Sequence, residues 1–267
     1  MKVCTDACLF GAIVAEEISI KQRSRDTNEA EVLNDAFKKN KAEIFHFDQI
    51  LDIGTGTGLL SLMLAQKVKG FIDAVELDEH AAQQAKENVA ASPWPERICV
   101  HHIAIQHYNK KVNPANEATT HQLENNLTGD EARQKTYDYI LSNPPFFQNA
   151  LQSVDAKKNA AKHTPTLSFS ELAMAIKENL HKSGKAFIML PFHEMKFFMV
   201  EMERQNLFPQ NFIQVQQTPT HSTFRTIAIF AEEKPVTVKE SSIVIKDENN
   251  VYSEDFVRLL KDYYLNL

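Results

Sequence analysis

From residue 47 onward, short apolar runs alternate with stretches whose apolar positions recur at helical spacing. "FDQILDIG" (47–54) is a run ending in glycine, the pattern of a strand buried on both faces of a parallel sheet. "LLSLMLAQKV" (59–68) has helical spacing, and "FIDAVELD" (71–78) predicts the second strand. "DEHAAQQAKENVAAS" (78–92) predicts a helix capped by Asp78 and stopped by "SPWP" (92–95). "RICVHHIAI" (97–105) predicts a third strand and "YDYILSN" (137–143) a fourth. "FSELAMAIKENLHKSGK" (169–185) predicts an amphipathic helix ending near Gly184, followed by a fifth strand, "AFIMLP" (186–191). After a helix over 193–206, "NFIQVQQT" (211–218) and "TFRTIAIFAEE" (223–233) predict an antiparallel pair joined at "PTHS". The expectation is one doubly wound α/β domain over 1–267: a seven-stranded, mostly parallel sheet, helices on both faces, a C-terminal antiparallel hairpin. Its ligand is expected at the carboxyl ends of the strands. Two polar stretches are expected as insertions, about 16–43 as a solvated helix or loop and 109–135 as a long surface loop.

Bulk properties narrow the class. The chain has 267 residues, enough for a sizeable core, and no apolar run of the length needed to span a membrane. The N-terminal "MKVCTDACLFGAIVAEE" is broken by Asp6 and reads as part of the fold, not as a signal peptide. A formal net charge of −6 argues against a protein that simply coats nucleic acid, though a local basic face is compatible with it. Cys4, Cys8 and Cys99 have no ligand partners at close spacing and are expected as free thiols in a reducing cytoplasm. His101, His102 and His107 lack metal-ligand spacing; they are expected at ordinary strand and loop positions, and no metal is expected.

"LDIGTGTGLL" (51–60) places Gly54, Gly56 and Gly58 between a strand and a helix. Glycine lets the backbone turn sharply and lets a ligand approach it. Glu76, at the end of the second strand, is placed to accept both hydroxyls of a ribose. A dinucleotide fingerprint needs G-x-G-x-x-G, whereas this turn is G-x-G-x-G. With Asp52 before the first glycine, it resembles the first motif of S-adenosylmethionine-dependent methyltransferases. The other reading is a turn that only packs a helix on a strand; Glu76 favours the cofactor.

The fourth strand runs into Asn143-Pro144-Pro145-Phe146. Methylating a planar exocyclic amine requires its lone pair to be freed from the ring. The Asn143 side-chain oxygen and the Pro144 carbonyl can accept its two N–H bonds and favour the pyramidal geometry. Two prolines stiffen the loop and remove competing donors. Phe146 offers a face for a flipped base, a stacking contact of about 1–3 kcal/mol. Neither metal nor strong base is needed, because the chemistry is positioning and hydrogen bonding to developing charge. The other reading of N-P-P-F is a proline-rich turn packed by aromatics; its place downstream of the glycine turn favours the site.

Three stretches, "LDIGTGTGLLSLMLAQ", "DAVELDEHAAQQAKENVAASPWPERI" and "YDYILSNPPFF", resemble the bacterial tRNA1(Val) adenine-N6 methyltransferase family. "MKVCTDACLFGA" is similar to its early motif, and "FRTIAIFA" and "YSEDFVRLLKDYYL" to its C-terminal part. The resemblance implies N6 methylation of the adenine immediately 3′ of the anticodon, with S-adenosylmethionine as cofactor, valine tRNA as partner and no DNA partner. A cytoplasmic monomer is the expectation. It assigns Asn143, Pro144, Pro145 and Phe146 to the target base, and Lys2, Thr5, Asp6, Gly54, Gly56 and Glu76 to the cofactor pocket, joined by Asp52, Gly58, Leu77 and Asn143. Phe147, Lys157, Lys158 and Lys162 are candidates for RNA contact, the alternative being a solvated lysine face. The chain departs from the family by starting at "MKV", which a short segment usually precedes, so that a lid or RNA contact is expected to be missing, and by Ala104 in place of an acidic residue near the cofactor adenine. N-P-P-[FY] also serves methylation of protein glutamine amides and of guanine N2 in ribosomal RNA. A module that binds cofactor or RNA without turnover is the remaining alternative.

Overall fold

The computed structural model describes residues 4–36, 47–111, 135–144 and 167–266. Helix α1 (Thr5–Ala36) runs well into the first polar stretch. That stretch is not simply solvated. Within it Ile18 is fully buried and Gln22 is buried as well, continuing the buried face that Leu9, Phe10 and Val14 begin earlier in the helix. Gln22 Nε2 donates to Asp48 Oδ2 and to the Lys69 carbonyl, each at 2.7 Å. Arg25 donates to both Asp48 oxygens at 2.8 and 2.7 Å. The polar side chains thus reach back to a wholly buried carboxylate, which needs such donors to be tolerated.

The strands and helices then alternate: β1 (Asp48–Ile53), α2 (Leu59–Lys67), β2 (Gly70–Glu76), α3 (Glu79–Ala90), β3 (Ile98–His102), α4 (Ile105–Lys111), β4 (Tyr137–Ser142), α5 (Phe169–Asn179), β5 (Leu180–Pro191) and α6 (Phe192–Arg204). β6 (Phe208–Gln216), β7 (Arg225–Ala231), β8 (Lys239–Val244) and α7 (Glu254–Leu260) complete the chain. The sheet order is β3-β2-β1-β4-β5-β7-β6-β8. The first five of these are parallel, and β7 is antiparallel to both β5 and β6. No helix among the described residues is long and apolar enough to cross a membrane.

Four expectations are corrected. The sheet has eight strands, not seven: β8, paired parallel to β6, has the sequence KESSIV and mostly exposed side chains, so it carries no apolar run to betray it. β3 stops at His102, and Ile105 already begins α4, inside the segment expected as strand and loop. α5 stops at Asn179, and Leu180 pairs with Tyr137 in the sheet. Gly184 therefore lies within β5, where an added Cβ would stand 2.9 Å from the Tyr137 carbonyl oxygen. Its small size lets two strands approach at a register irregularity; it does not end a helix. Asp78 caps α3 as expected, its Oδ1 accepting from the Ala81 N–H at 2.8 Å. Most of the second polar stretch, 112–134, lies outside the described residues.

Successive β1 side chains face opposite cores. Ile50 joins Leu9, Leu64 and Phe256 under α1, α2 and α7. Leu51 joins Tyr137, Leu172 and Phe198 under α4, α5 and α6. Burial on both faces explains why these strands do not alternate apolar and polar residues. The sheet reverses its winding between β1 and β4, the point where such folds bind ligands beyond the carboxyl ends of their strands.

Candidate active site

At that reversal, Ile53 is the ladder partner of Val75 on one side and of Ser142 on the other. The next residues, Gly54 and Asn143, therefore leave neighbouring parallel strands side by side. Ser142 Oγ donates to the Ile53 carbonyl at 2.8 Å and locks the two ends together. Asn143 is half-buried and Pro144 buried. Pro145, Phe146, Phe147, Lys157, Lys158 and Lys162, like Lys2, lie outside the described residues.

Three of the turn's residues have positive φ: Gly54 at 73°, Gly56 at 60° and Gly58 at 85°. Gly54 is exposed, and a Cβ added to it would meet nothing within 4 Å. Its glycine identity therefore follows from the backbone angle, and the space beside it is open to a ligand. Glu76 faces this turn. Its Oε2 accepts from the Gly56 N–H at 2.8 Å, and its Oε1 from the N–H groups of Leu77 and Asp78 at 2.8 and 2.9 Å. A carboxylate so fixed keeps lone pairs for hydroxyl donors, which is what a ribose offers. The residues present thus fit an adenosyl cofactor. Leu77 is exposed beside it. Ala104 follows Ile103, whose N–H donates to the Glu76 carbonyl at 2.9 Å, so this rim position carries a methyl group and no carboxylate.

Asp52 stands beneath the turn. It is fully buried, and its Oδ2 accepts from Thr55 Oγ1 at 2.6 Å and Ser61 Oγ at 2.7 Å. It ties the turn to the first helical turn of α2. Burial pushes its carboxyl up to about 6, against these two hydrogen bonds and with the nearby Glu76 charge adding to the rise. Thr55 and Ser61 are partners the sequence reading missed; nothing in their spacing marks them.

Of the N-terminal residues assigned to the cofactor, Thr5 and Asp6 are half-buried. Asp6 Oδ2 accepts from Arg225 Nε at 2.9 Å, so its carboxylate ties α1 to the start of β7.

A second polar cluster lies on the same sheet. Asp73 and Cys99 are ladder partners and His101 follows two residues on, so all three share a face. Their donor atoms lie within 4.8 Å of one another, which corrects the expectation that Cys99 lacks such neighbours. Asp73 Oδ1 is 2.7 Å from His101 Nε2. Its Oδ2 accepts from Lys135 Nζ at 2.7 Å and from Tyr137 at 2.8 Å, and Tyr137 meets Tyr108 at 2.8 Å. Burial works against both charges, but the mutual hydrogen bond and, for Asp73, Lys135 outweigh it. Asp73 is held well below the usual carboxylate range, and His101 is raised to about 9. The cluster cross-links β2, β3 and β4 with charges already compensated.

Residues 50–141 match a family model described as a methyltransferase domain. The chain is 36% identical over 228 residues to the tRNA1(Val) (adenine(37)-N6)-methyltransferase of Pseudoalteromonas translucida (strain TAC 125), covering 85% of this chain and 87% of that one. It is 33% identical over 267 residues to the protein of the same name from Cytophaga hutchinsonii, covering 100% of this chain and 92% of the relative. Among solved structures, an Agrobacterium tumefaciens protein described as a predicted O-methyltransferase superposes with a TM-score of 0.53 at 12% identity, over 82% of this chain and 93% of that one, a likeness of fold alone. Similarity of this extent, over a glycine turn, a fixed carboxylate and an Asn-Pro strand end at one rim, leads to one conclusion: the chain belongs to the tRNA1(Val) (adenine(37)-N6)-methyltransferase family.

Proposed function

We propose that this protein transfers a methyl group from S-adenosylmethionine to the exocyclic N6 of adenine 37 in valine tRNA, next to the anticodon. The observation that carries the reading is the adjacency of Gly54 and Asn143 at the ends of paired strands, with Glu76 fixed on the turn by Gly56. The whole chain serves as one methyltransferase domain and works as a monomer.

S-adenosylmethionine supplies an electrophilic sulfonium methyl group when bound. Glu76 accepts the ribose hydroxyls, the Gly54–Gly58 turn cradles the nucleoside, and Leu77 lies against its base. Asp52 acts through Thr55 and Ser61 to keep the turn in shape. Asn143 Oδ1 and the Pro144 carbonyl accept the two N6–H bonds of the target adenine. They hold the nitrogen lone pair out of conjugation and stabilise positive charge as it develops. Phe146 stacks on the extruded base. Lys2, Thr5 and Asp6 close the cofactor side, and Phe147, Lys157, Lys158 and Lys162 contact the RNA.

The test is incubation of the enzyme with labelled cofactor and unmodified valine tRNA, followed by nucleoside mass spectrometry. N6-methyladenine mapped to position 37 is expected. Labelling of release factor or ribosomal subunits instead, or of no acceptor by folded enzyme, would overturn the reading.

A further inference from the structure

The carboxyl-terminal rim continues past the strand ends into α6. Phe192, the first residue of α6, donates its N–H to the Phe224 carbonyl at 3.3 Å, tying the β5–α6 junction to the start of β7. Phe192 is 43% exposed, and Phe197 and Val200 are each 48% exposed. Phe47 is the one other phenylalanine among the described residues that is exposed to this degree. At 3.6 residues per turn, Phe192, His193, Lys196, Phe197 and Val200 fall on one face of the helix. His193 and Lys196 are exposed too, and the first carboxylate on that face is Glu203, about a turn beyond Val200. The rings carry polar company: Phe192 meets the His193 ring edge-on at 5.3 Å, and Lys196 Nζ lies 4.9 Å from the Phe197 ring centre. Meanwhile the opposite face, with Met195, Phe198 and Met202, is buried in the core, so the exposed rings are not needed to hold α6 in place.

The start of this face lies near the target-base site. Ser142 pairs with Ile188, so Pro191, where β5 ends, lies two rows beyond Asn143 on the next strand. With about 3.3 Å per row and 4.8 Å between strands, Phe192 and Asn143 have backbones on the order of 10 Å apart. A strand of RNA presenting its adenine to Asn143 has neighbouring nucleotides within that reach. Exposed aromatics beside cations are the means by which proteins hold unpaired bases and their phosphates.

We propose that the exposed face of α6 is a landing surface for single-stranded nucleotides flanking the target adenine. An unstacked base lies on Phe192, with Phe197 extending the platform, and Lys196 engages a backbone phosphate. The inference rests on the reading of tRNA as substrate and adds where the rest of the anticodon loop is held. These are positioning residues; they touch RNA away from the reacting atoms.

The experiment measures binding of unmodified valine tRNA by fluorescence anisotropy across a salt series, and methyl transfer with varied tRNA, for wild type, Phe192→Ala, Phe192→Trp, Lys196→Gln and a Phe192→Ala/Phe197→Ala double variant. Phe192→Ala is expected to weaken tRNA binding about 5- to 100-fold and to raise KM for tRNA in step, with kcat little changed. Phe192→Trp is expected to restore binding, and Lys196→Gln to flatten the salt dependence by about one unit of slope. Cofactor affinity and melting temperature are expected to match wild type. A double variant that binds tRNA within twofold of wild type would overturn the proposal. So would loss of tRNA binding matched by loss of cofactor binding or of stability. If wild type binds tRNA but leaves adenine N6 unmethylated, the assigned reaction fails while the anisotropy series still judges this surface. If wild type methylates and every variant matches it, the surface alone fails.

Discussion

The backbone N–H of Gly56 donates to Glu76 Oε2 at 2.8 Å, joining the glycine turn after the first strand to the carboxylate that ends the second. The two residues are twenty positions apart, and the bond fixes the acceptor against the turn it serves. Glu76→Gln keeps the volume, removes the charge and turns one of the two acceptor oxygens into a donor. It is expected to weaken S-adenosylmethionine binding by about 10- to 100-fold, the worth of one or two charge-assisted hydrogen bonds. Calorimetry reads the affinity; kcat at saturating cofactor should change little.

Asn143 makes the opposite division. Asn143→Ala removes one of the two proposed acceptors for the amine and is expected to leave the glycine turn intact. We expect kcat to fall about 100- to 1000-fold, as when one preorganised charge-stabilising group is lost elsewhere. Cofactor affinity should stay within twofold. An equal loss of both would assign Asn143 a structural role at the Ile53–Ser142 junction.

Asp52 gives a pH signature. Its carboxyl is raised from 3.8 to about 6 by burial, so the folded protein holds a proton that the unfolded chain has released. Stability from this group is complete below 3.8 and lost as pH rises through about 6, by on the order of 3 kcal/mol. Asp52→Asn should abolish that slope, so its stability relative to wild type improves from pH 4 to pH 7. Urea denaturation at each pH measures it. The same variant should lose cofactor affinity if Thr55 and Ser61 no longer hold the turn.

His101 adds a second window. Raised from 6.5 to about 9, it contributes stability that is complete below 6.5 and lost as pH rises through about 9. Asp73, lowered, contributes above its unfolded value of 3.8 and loses that contribution in acid. His101→Gln should flatten the stability profile between pH 7 and pH 9 without altering methyl transfer to saturating tRNA at pH 7.

Asp6 and Arg225 are 219 residues apart and pair at 2.9 Å, both side chains largely buried. A double-mutant cycle with Asp6→Asn and Arg225→Gln should show a coupling of about 0.5–3 kcal/mol in unfolding free energy. Cofactor affinity should fall in both single variants if α1 closes that side of the pocket; unchanged affinity would confine the pair to stability.

The elements that were legible share a property. β1, β2, β4 and β7 are largely buried on both faces, so apolar residues outnumber polar ones in their central positions. Asp78 and the glycine turn act through backbone angles and hydrogen bonds a few residues long. Where chemistry was not local, the pattern failed. β8 is held by its ladder to β6 and has little apolar surface to show. The segment before Gly184 pairs with β4 in preference to extending α5, a competition that only the neighbouring strand decides. The start of α1 looked like fold, and its polar continuation looked solvated until Asp48 supplied a buried partner for Gln22 and Arg25.

What the chain by itself determined is therefore the α/β class, the glycine turn, Glu76 at a strand end and Asn143 at another, because each depends on backbone geometry within a few residues. Only the tertiary structure decided that Gly54 and Asn143 stand side by side, that Asp6 meets Arg225, that Asp73 gathers His101 and Lys135, and that α6 turns two phenylalanines outward. Those relations come from strand register and helix docking between distant segments, where the free energy lies in the contact and neither partner carries it alone.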